Sequence, residues 1–293
     1  MQAVSAAIYA DGGLYSGGAG VIENLKASGF TAVIAWALHV QANGDLSFND
    51  EAIVTGGSYT GEAAWPGLLG GLKQGTTSVN RLSFSVGGWG VGDFPNIQAL
   101  LAHGGGNPGG ALYESFAALK QAIPGIDAID LDDESLYDPA TTVAFCQMLA
   151  ELGYQVTFCP YSNTSFWTGC LQQLEASNPG LVTAFNLQCY AGGSGNDPAD
   201  WISAISTAMG PTFPAASFVI PGLWCSNGPG CTSGQCPDSI RSSFAQYRPD
   251  GVGGGFIWVL GDIQKCATSG ACGAGSPMGT AAYAAAVLGG LGA

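Results

Sequence analysis

Eight apolar runs punctuate this chain, and most are separated by stretches in which apolar residues recur at helical spacing. Residues 3–9 form a short run that stops at Asp11-Gly12-Gly13, which reads as a strand and a turn. Ile22 and Leu25 mark a modest helix ending at Gly29. Residues 30–40 (FTAVIAWALHV) predict a second buried strand; Asn43-Gly44 then predicts a turn, with a long loop to Thr60. Residues 62–74 read as a helix with Leu68, Leu69 and Leu72 on one side. The third strand is predicted over 81–90, followed by helical stretches at 97–101 and 111–122 that a Gly-rich segment, 103–110, divides. The fourth run is 126–134. A helix over 139–152 follows it, with Pro139 near its start. Strands at 154–161 and 181–190 flank a helix at 166–176, and Asp197-Pro198 opens a helix carrying Trp201, Ile202 and Ile205. A seventh strand (217–224), a helix (238–247), an eighth strand (252–260) and an Ala-rich helix (280–288) complete the pattern.

Eight apolar strands alternating with helices imply parallel βα units, and eight of them predict an α/β fold closed as a (β/α)8 barrel. A doubly wound open sheet is the alternative, but no G-x-G-x-x-G follows the first strand. The chain has 293 residues and a barrel takes about 250, so residues 1–293 are expected to form one domain. Neither a linker nor an internal repeat is visible.

The fourth run differs from the others. Ile126-Asp127-Ala128-Ile129-Asp130-Leu131-Asp132-Asp133-Glu134 is apolar enough for a strand, yet it carries five acids in a chain of which 10% is charged. Side chains alternate along a strand, so Asp130, Asp132 and Glu134 share one face and Asp127 and Asp133 the other. Three carboxylates on one face repel, so at least one holds a proton near neutral pH. A protonated carboxyl beside an ionised one is what cleavage of a glycosidic bond requires: one protonates the leaving oxygen and the other steadies developing positive charge. A calcium loop is the competing reading, but it wants Gly and Asn between the acids rather than aliphatic spacers.

Active sites of such barrels lie at the C-terminal ends of the strands. That rule picks out Glu134 and Asp132, Gln188 and Tyr190, Trp258, Ser85 with Gly87-Gly88, Tyr9, Trp36, Tyr161 and Trp224. Aromatic faces suit the apolar faces of sugar rings, although any single one of these aromatics also fits ordinary core packing.

Charge narrows the partners. Seven Lys and Arg face 21 Asp and Glu, a formal charge of −14. Nucleic acid and anionic membranes need basic patches, so neither is an expected partner. An uncharged polysaccharide fits. No apolar run reaches the roughly 18 residues that span a bilayer. The N-terminus lacks a basic segment and leads straight into a strand, so it reads as a mature secreted chain with its signal removed and Met1 placed in front. His39 and His103 lie in no ligand-spaced cluster, which leaves a metal-dependent hydrolase without ligands.

Nine cysteines are present. Cys225, Cys231 and Cys236 lie in one Gly/Pro/Ser-rich stretch, and Cys266 and Cys272 in another; their spacings do not give the C-x2-C pairs of zinc ribbons, so loop disulfides are expected. Cys146 and Cys170 are candidates for a bridge between neighbouring helices, and Cys159 and Cys189 for buried free thiols.

Asp127-x-x-Asp130-x-Asp132-x-Glu134 resembles the D-x-x-D-x-D-x-E signature of glycoside hydrolase family 18, the chitinases and endo-β-N-acetylglucosaminidases. Ser85-Val86-Gly87-Gly88 is similar to that family's S-x-G-G motif on strand three, Gln188-Cys189-Tyr190 to its strand-six Gln-x-Tyr element, and Trp258 to its strand-eight Trp. The family's Gly after the first Asp is Ala128 here, and Asp133 and Ser135 stand where many chitinases carry aromatics. The Asp-Asp-Glu ending looks more like the endo-β-N-acetylglucosaminidase branch.

The resemblance implies a retaining, substrate-assisted hydrolase with no metal or organic cofactor. It makes Glu134 the acid and base, Asp132 the partner that orients the substrate's acetamido group, Asp130 a residue sharing a proton or hydrogen bond with Asp132 from below, and Tyr190 a donor to the acetamido carbonyl. Trp258, Gln188, Tyr9, Trp36, Ser85, Tyr161 and Trp224 are the expected substrate-binding residues, and Asp127, Gly87 and Gly88 the structural ones. The expected partner is chitin or an N-acetylglucosamine oligosaccharide; the alternatives are the chitobiose core of N-glycans, or sugar binding without catalysis by a lectin or inhibitor on the same barrel. Residues 225–251 are too few for the α+β domain some chitinases insert there, which implies an open groove and endo cleavage. No oligomerisation signal is visible, and a monomer is expected.

Overall fold

The computed structural model describes residues 4–273 and 275–293. Met1, and Ala3 at the start of the first predicted strand, lie outside the described residues. The strands are β1 (Ser5–Ala10), β2 (Ala32–Val40), β3 (Leu46–Phe48), β4 (Glu51–Thr55), β5 (Ser58–Tyr59), β6 (Arg81–Gly87), β7 (Ala128–Asp132), β8 (Gln155–Phe158), β9 (Val182–Gln188), β10 (Val219–Trp224) and β11 (Gly254–Trp258). Eight of them, β1, β2 and β6 to β11, pair in parallel and in chain order, and β1 pairs with both β2 and β11. The sheet therefore closes into the expected (β/α)8 barrel, a TIM barrel, with helices around it.

Period-two alternation assigns the two faces. Ile8, Val33, Phe84, Ile129, Leu131, Phe158, Phe185 and Ile257 point outward into one large apolar cluster shared with the helices. The opposite parity fills the lumen. There, a smaller apolar cluster forms around Tyr9, Ile34, Ile220 and Phe256, while Ser83, Ser85, Asp130, Asp132, Thr157, Asn186 and Gln188 are buried polar residues on β6 to β9. One half of the lumen is apolar and the other polar.

Two helices start as Asp-Pro predicts. Asp138 accepts from the Thr141 N–H (2.9 Å) ahead of the helix Pro139–Glu151, and Asp197 from the Ala199 N–H (3.0 Å) ahead of Pro198–Met209.

The structure departs from the expected pattern in three places. The expected loop between Asn43 and Thr60 holds β3 to β5, an antiparallel meander continuing from β2. Leu46, Phe48, Ile53 and Val54 bury its inner side, and Gly56-Gly57, both at positive φ, make its last tight turn. The helix expected over 62–74 is Trp65–Gly71, trimmed by Pro66 at its first turn and by glycines at its end. The third barrel strand stops at Gly87 rather than Gly90, because Gly87 and Gly88 turn to φ 106° and 126°.

Two disulfides, Cys231–Cys266 and Cys236–Cys272, tie the β10–β11 connection to the segment after β11. The expected Cys146–Cys170 bridge is absent. Both thiols are free and buried on the adjacent helices Pro139–Glu151 and Thr164–Ser177, serving as small apolar side chains, and burial pushes both thiol pKa values up. Cys159 and Cys189 are free as expected, and Cys225 is free as well. Between β10 and β11 there are only two short turns of 3-10 helix, Pro229–Cys231 and Arg248–Asp250, and the helix Pro237–Tyr247, with no inserted α+β domain.

One glycine in the lumen is required by contact. A Cβ at Gly222 would lie 1.9 Å from the Phe256 ring, which crosses the barrel at that level. Gly222→Ala is therefore expected to lower unfolding free energy by about 1–3 kcal/mol. Gly67→Ala, with open space around it on the exposed side of the helix Trp65–Gly71, is expected to be neutral or to stabilise by up to about 1 kcal/mol. Urea denaturation followed by circular dichroism checks both; equal midpoints for the two variants would contradict the packing account.

Candidate active site

The acidic strand runs through the polar half of the lumen. Ser85, Asp130 and Thr157 stand in register on β6, β7 and β8. Asp130 has no solvent exposure, and its carboxylate is surrounded by donors. Tyr9 Oη (2.8 Å) and Ser85 Oγ (2.7 Å) donate to Oδ2; Thr157 Oγ1 (2.5 Å) and Asn186 Nδ2 (2.9 Å) donate to Oδ1. Burial pushes the Asp130 carboxyl up, and these four hydrogen bonds offset only part of that rise.

One rung higher, Asp132 is also buried. Burial drives its pKa well above the ordinary carboxylate range, and the charges of Glu134 and Asp130 add to the rise. Glu134, just past the end of β7, is half-buried and likewise raised, chiefly by desolvation. Gln188 Nε2 donates to Asp132 Oδ1 (3.0 Å) and to Glu134 Oε1 (3.4 Å), holding the two carboxyls as a pair. Both carboxyls are thus shifted toward their protonated forms, and one amide bridges them.

The chain around the pair is shaped to deliver it. A Cβ at Gly87 would lie 2.3 Å from the Asp132 carbonyl oxygen, so glycine alone fits, and the Gly88 N–H donates to that same oxygen (2.9 Å). Asp133, of opposite parity, turns away and accepts from the N–H groups of Ser135 (3.0 Å), Leu136 (2.9 Å) and Tyr137 (2.8 Å). It thereby folds the chain back directly after Glu134. Asp127 lies at the other end of β7, paired with Lys73 (2.7 Å).

Above the acids opens a cleft of about 510 Å³. Trp36, Tyr161, Tyr190, Trp224 and Trp258 line it together with Asp132, Glu134 and Gln188. Trp36 and Trp258 meet edge to face at 4.7 Å, and Tyr190 stacks on Trp258 at 5.9 Å. Burial raises the Tyr190 phenol well above its ordinary value, so it remains a proton-bearing donor. No Lys or Arg is among the lining residues. A second well, of about 410 Å³, opens at the opposite mouth of the barrel, where Thr157 and Asn186 meet Ser83, Arg81 and Asp127.

Most predicted catalytic and substrate-binding residues converge on the cleft, but Asp130, Tyr9 and Ser85 lie beneath it. Tyr9 and Ser85, expected to touch substrate, are fully buried beneath it and bind Asp130 instead. The expected direct bond from Asp130 to Asp132 is also absent, since donors from four other strands occupy the Asp130 oxygens. The sequence reading missed Thr157 and Asn186, whose polarity inside apolar strands was the available signal. It also missed Trp89, which lines the cleft at 85% exposure directly after Gly87-Gly88. His39 pairs with Asp93 (2.9 Å), and His103 bonds the Ala99 carbonyl. Among the described residues no three His, Cys, Asp or Glu converge to hold a metal ion, and no helix is long and apolar enough to cross a membrane.

The sequence matches no protein-family model and no curated protein. Solved structures share the fold, among them chitinases, chitinase-like proteins and spore cortex-lytic enzymes. The Ostrinia furnacalis Group IV chitinase superposes with a TM-score of 0.64 at 11% identity, covering 99% of this chain and 100% of that one. YKL-39 gives 0.63 at 11%, covering 99% and 100%. The chitinase-like agglutinin from Robinia pseudoacacia gives 0.58 at 11%, covering 96% and 98%.

The raised carboxyls fix the sign of a pH effect. A carboxyl whose folded pKa exceeds its unfolded value of about 4 binds its proton more tightly in the folded state. Below about pH 4 both states keep the proton; above it the unfolded chain releases it first, so stability falls as pH rises through the folded pKa. Asp132 and Glu134 are therefore expected to destabilise the fold progressively from about pH 4 upward. Asp132→Asn should be more stable than wild type at about pH 8, with the gap narrowing toward about pH 5. Urea midpoints across that range check this, and a gap independent of pH would contradict it.

Proposed function

We propose that the chain is a glycoside hydrolase of chitinase type, cutting β-1,4 bonds within N-acetylglucosamine polymers with retention of configuration. The observation that carries this reading is the Asp132–Glu134 pair, bridged by Gln188, at the base of a cleft walled by aromatic rings. Glu134, protonated and nearest the opening, gives its proton to the glycosidic oxygen. The carbonyl oxygen of the substrate's 2-acetamido group attacks the anomeric carbon as the C–O bond breaks, giving an oxazolinium ion and a free leaving chain. Asp132 accepts the acetamido N–H and stabilises the positive charge, and the Tyr190 hydroxyl donates to the acetamido carbonyl. Glu134, now ionised, takes a proton from water as that water opens the oxazolinium ion, which regenerates the acid.

Several features support this reading. The cleft has neutral aromatic walls and no lysine or arginine in its lining, which suits an uncharged sugar chain. Trp36, Trp89, Trp224, Trp258 and Tyr161 supply faces for several sugar units, an arrangement suited to endo cleavage. A Group IV chitinase of the same fold is known in complex with allosamidin, and YKL-39 in the presence of chitooligosaccharides. The two disulfides fit an oxidising compartment, and in this reading the protein is a secreted monomer whose residues 1–293 form one catalytic domain. The chitinase reading is preferred to the N-glycan alternative because Asp133, the residue that resembled the latter branch, faces away from the cleft and caps the following turn.

Mass spectrometry of products from N-acetylglucosamine oligomers and, in parallel, a high-mannose N-glycan tests the proposal. Wild type is expected to shorten the oligomers, and Glu134→Gln to lose about two to four decades in rate. Cleavage of the glycan alone would replace the substrate while keeping the chemistry. Sugar binding without cleavage of either would make the protein a lectin on the same barrel.

A further inference from the structure

Independently of that reading, we propose that the well at the lower mouth of the barrel is a second binding site, for a small aliphatic carboxylate that carries a hydroxyl at its far end. The well holds about 410 Å³ and lies at the end of the barrel opposite the acidic pair. Its walls differ. Arg81, Ser83, Thr183 and Asn186, from β6 and β9, stand on one side; Ala7, Ile34 and Ile220, from β1, β2 and β10, stand on the other. Among the described residues no aromatic ring lines it. It is therefore unlike the cleft above: a ligand here needs one hydrogen-bonding edge and one aliphatic edge, not a ring face.

Arg81 supplies the charge. Its guanidinium donates to Gln155 Oε1 (2.9 Å) and Thr183 Oγ1 (2.9 Å), both neutral, and the remaining N–H groups of its planar fork are unused. Among the described residues Arg81 forms no salt bridge. Asp127 is the one acid among the described residues lining the well, and Lys73 already holds both of its oxygens (2.8 and 2.7 Å). Burial lowers the Arg81 pKa, and the carboxylates within reach do not make up the loss, as befits a cation short of a partner. The neighbourhood points the same way. The chain has only 7 Lys and Arg against 21 acids. Yet Lys73, Arg81 and Lys120 gather around Asp127 at the foot of β6 and β7, where Lys120 Nζ also bonds the Ile126 carbonyl (2.6 Å). A strongly acidic protein thus presents a basic spot at this mouth, and such a spot concentrates small anions.

Ser83 and Asn186 supply the site for the hydroxyl. Ser83 follows Arg81 by two positions on β6, so it shares a face with Arg81 and lies about 7 Å further in. It is 3% exposed and lines the well, and among the described residues its Oγ has no hydrogen-bond partner. Asn186, also buried, spends its amide nitrogen on Asp130 (2.9 Å), which leaves its Oδ1 without a donor among the described residues. Buried polar atoms are seldom left unpaired. One ligand hydroxyl satisfies both, donating to Asn186 Oδ1 and accepting from Ser83 Oγ. A chain of a few carbons spans the distance from there to Arg81, and Ile34 and Ile220 face it across the well. Ser83→Ala removes an oxygen that bonds nothing in the protein, and Arg81→Gln keeps an amide beside Gln155 and Thr183, so both variants are expected to fold.

The test is calorimetric titration of the whole chain with 4-hydroxybutyrate, butyrate, 1,4-butanediol and inorganic phosphate, with amide NMR to locate the ligand. 4-Hydroxybutyrate is expected to bind about fivefold more tightly than butyrate, the worth of one hydrogen bond, while butanediol and phosphate do not bind. Amide shifts should fall on residues 81–83 and 183–186 and leave the indole signals of Trp89 and Trp258 in place. Arg81→Gln should weaken both carboxylates by at least about tenfold, and Arg81→Lys by less. Ser83→Ala should leave butyrate binding unchanged and abolish the advantage of the hydroxy acid, a pattern that misfolding cannot produce. Binding of neither carboxylate by wild type would overturn the proposal, as would equal affinity in wild type and Arg81→Gln, phosphate binding as tight as theirs, or shifts confined to the cleft indoles. The titrations read no turnover and touch no residue of the acidic pair, so their outcome and that of the hydrolase reading are decided separately.

Discussion

A carboxylate with no access to solvent has to be solvated by the protein, and this requirement governs the lumen of the barrel. An unpaired ion in such a place would cost several kcal/mol. Among the described residues Asp130 has no cation within salt-bridge distance; it has four neutral donors instead. Those donors must come from strands beside and opposite β7, which accounts for Ser85, Thr157, Asn186 and Tyr9 at lumen positions of those strands. The division of the lumen follows. β6 to β9 carry polar side chains, and the remaining strands carry the rings and aliphatic groups that close the space. The pair above inherits its electrostatics from this arrangement, because Asp132 is raised first by burial and then by the charges beside it.

The upper end of β7 is held from two directions. Gly87 and Gly88 allow β6 to bend against the Asp132 carbonyl, closer than any side chain would permit. Asp133 gathers three consecutive N–H groups and turns the chain as it leaves the strand. Glu134 lies between these constraints, half-exposed at the cleft. Its neighbour in sequence is an acid of a different kind: Asp133 organises backbone, whereas Glu134 faces the opening.

Much of this was legible in the sequence, and the remainder was illegible for identifiable reasons. The eight barrel strands announced themselves because strands buried on both faces read as continuous apolar runs. The parity of Asp130, Asp132 and Glu134 was enough to place them together. Parity alone, however, cannot say how deep a side chain sits, so Tyr9 and Ser85 were expected in the cleft and lie beneath it. Thr157 and Asn186 looked like ordinary polar residues at strand positions; only the closure of the barrel brings β8 and β9 against β7. The meander β3 to β5 consists of strands too short to show a period. Cys146 and Cys170 sit on neighbouring helices as expected, but adjacency does not bring two sulfur atoms to bonding geometry.

The tryptophans are distributed unevenly. Trp65, Trp167 and Trp201 are buried, Trp36, Trp224 and Trp258 are half-buried in the cleft, and Trp89 alone stands in water. An indole in water emits at longer wavelength than one in an apolar shell, so the red edge of the intrinsic fluorescence belongs to Trp89 and the blue edge to the interior. The molecule thus carries its own optical reporter at the rim of the cleft. A ligand seated there changes the red edge while the fold stays intact, and unfolding shifts the whole band, so occupancy and stability can be followed in a single spectrum with no added label.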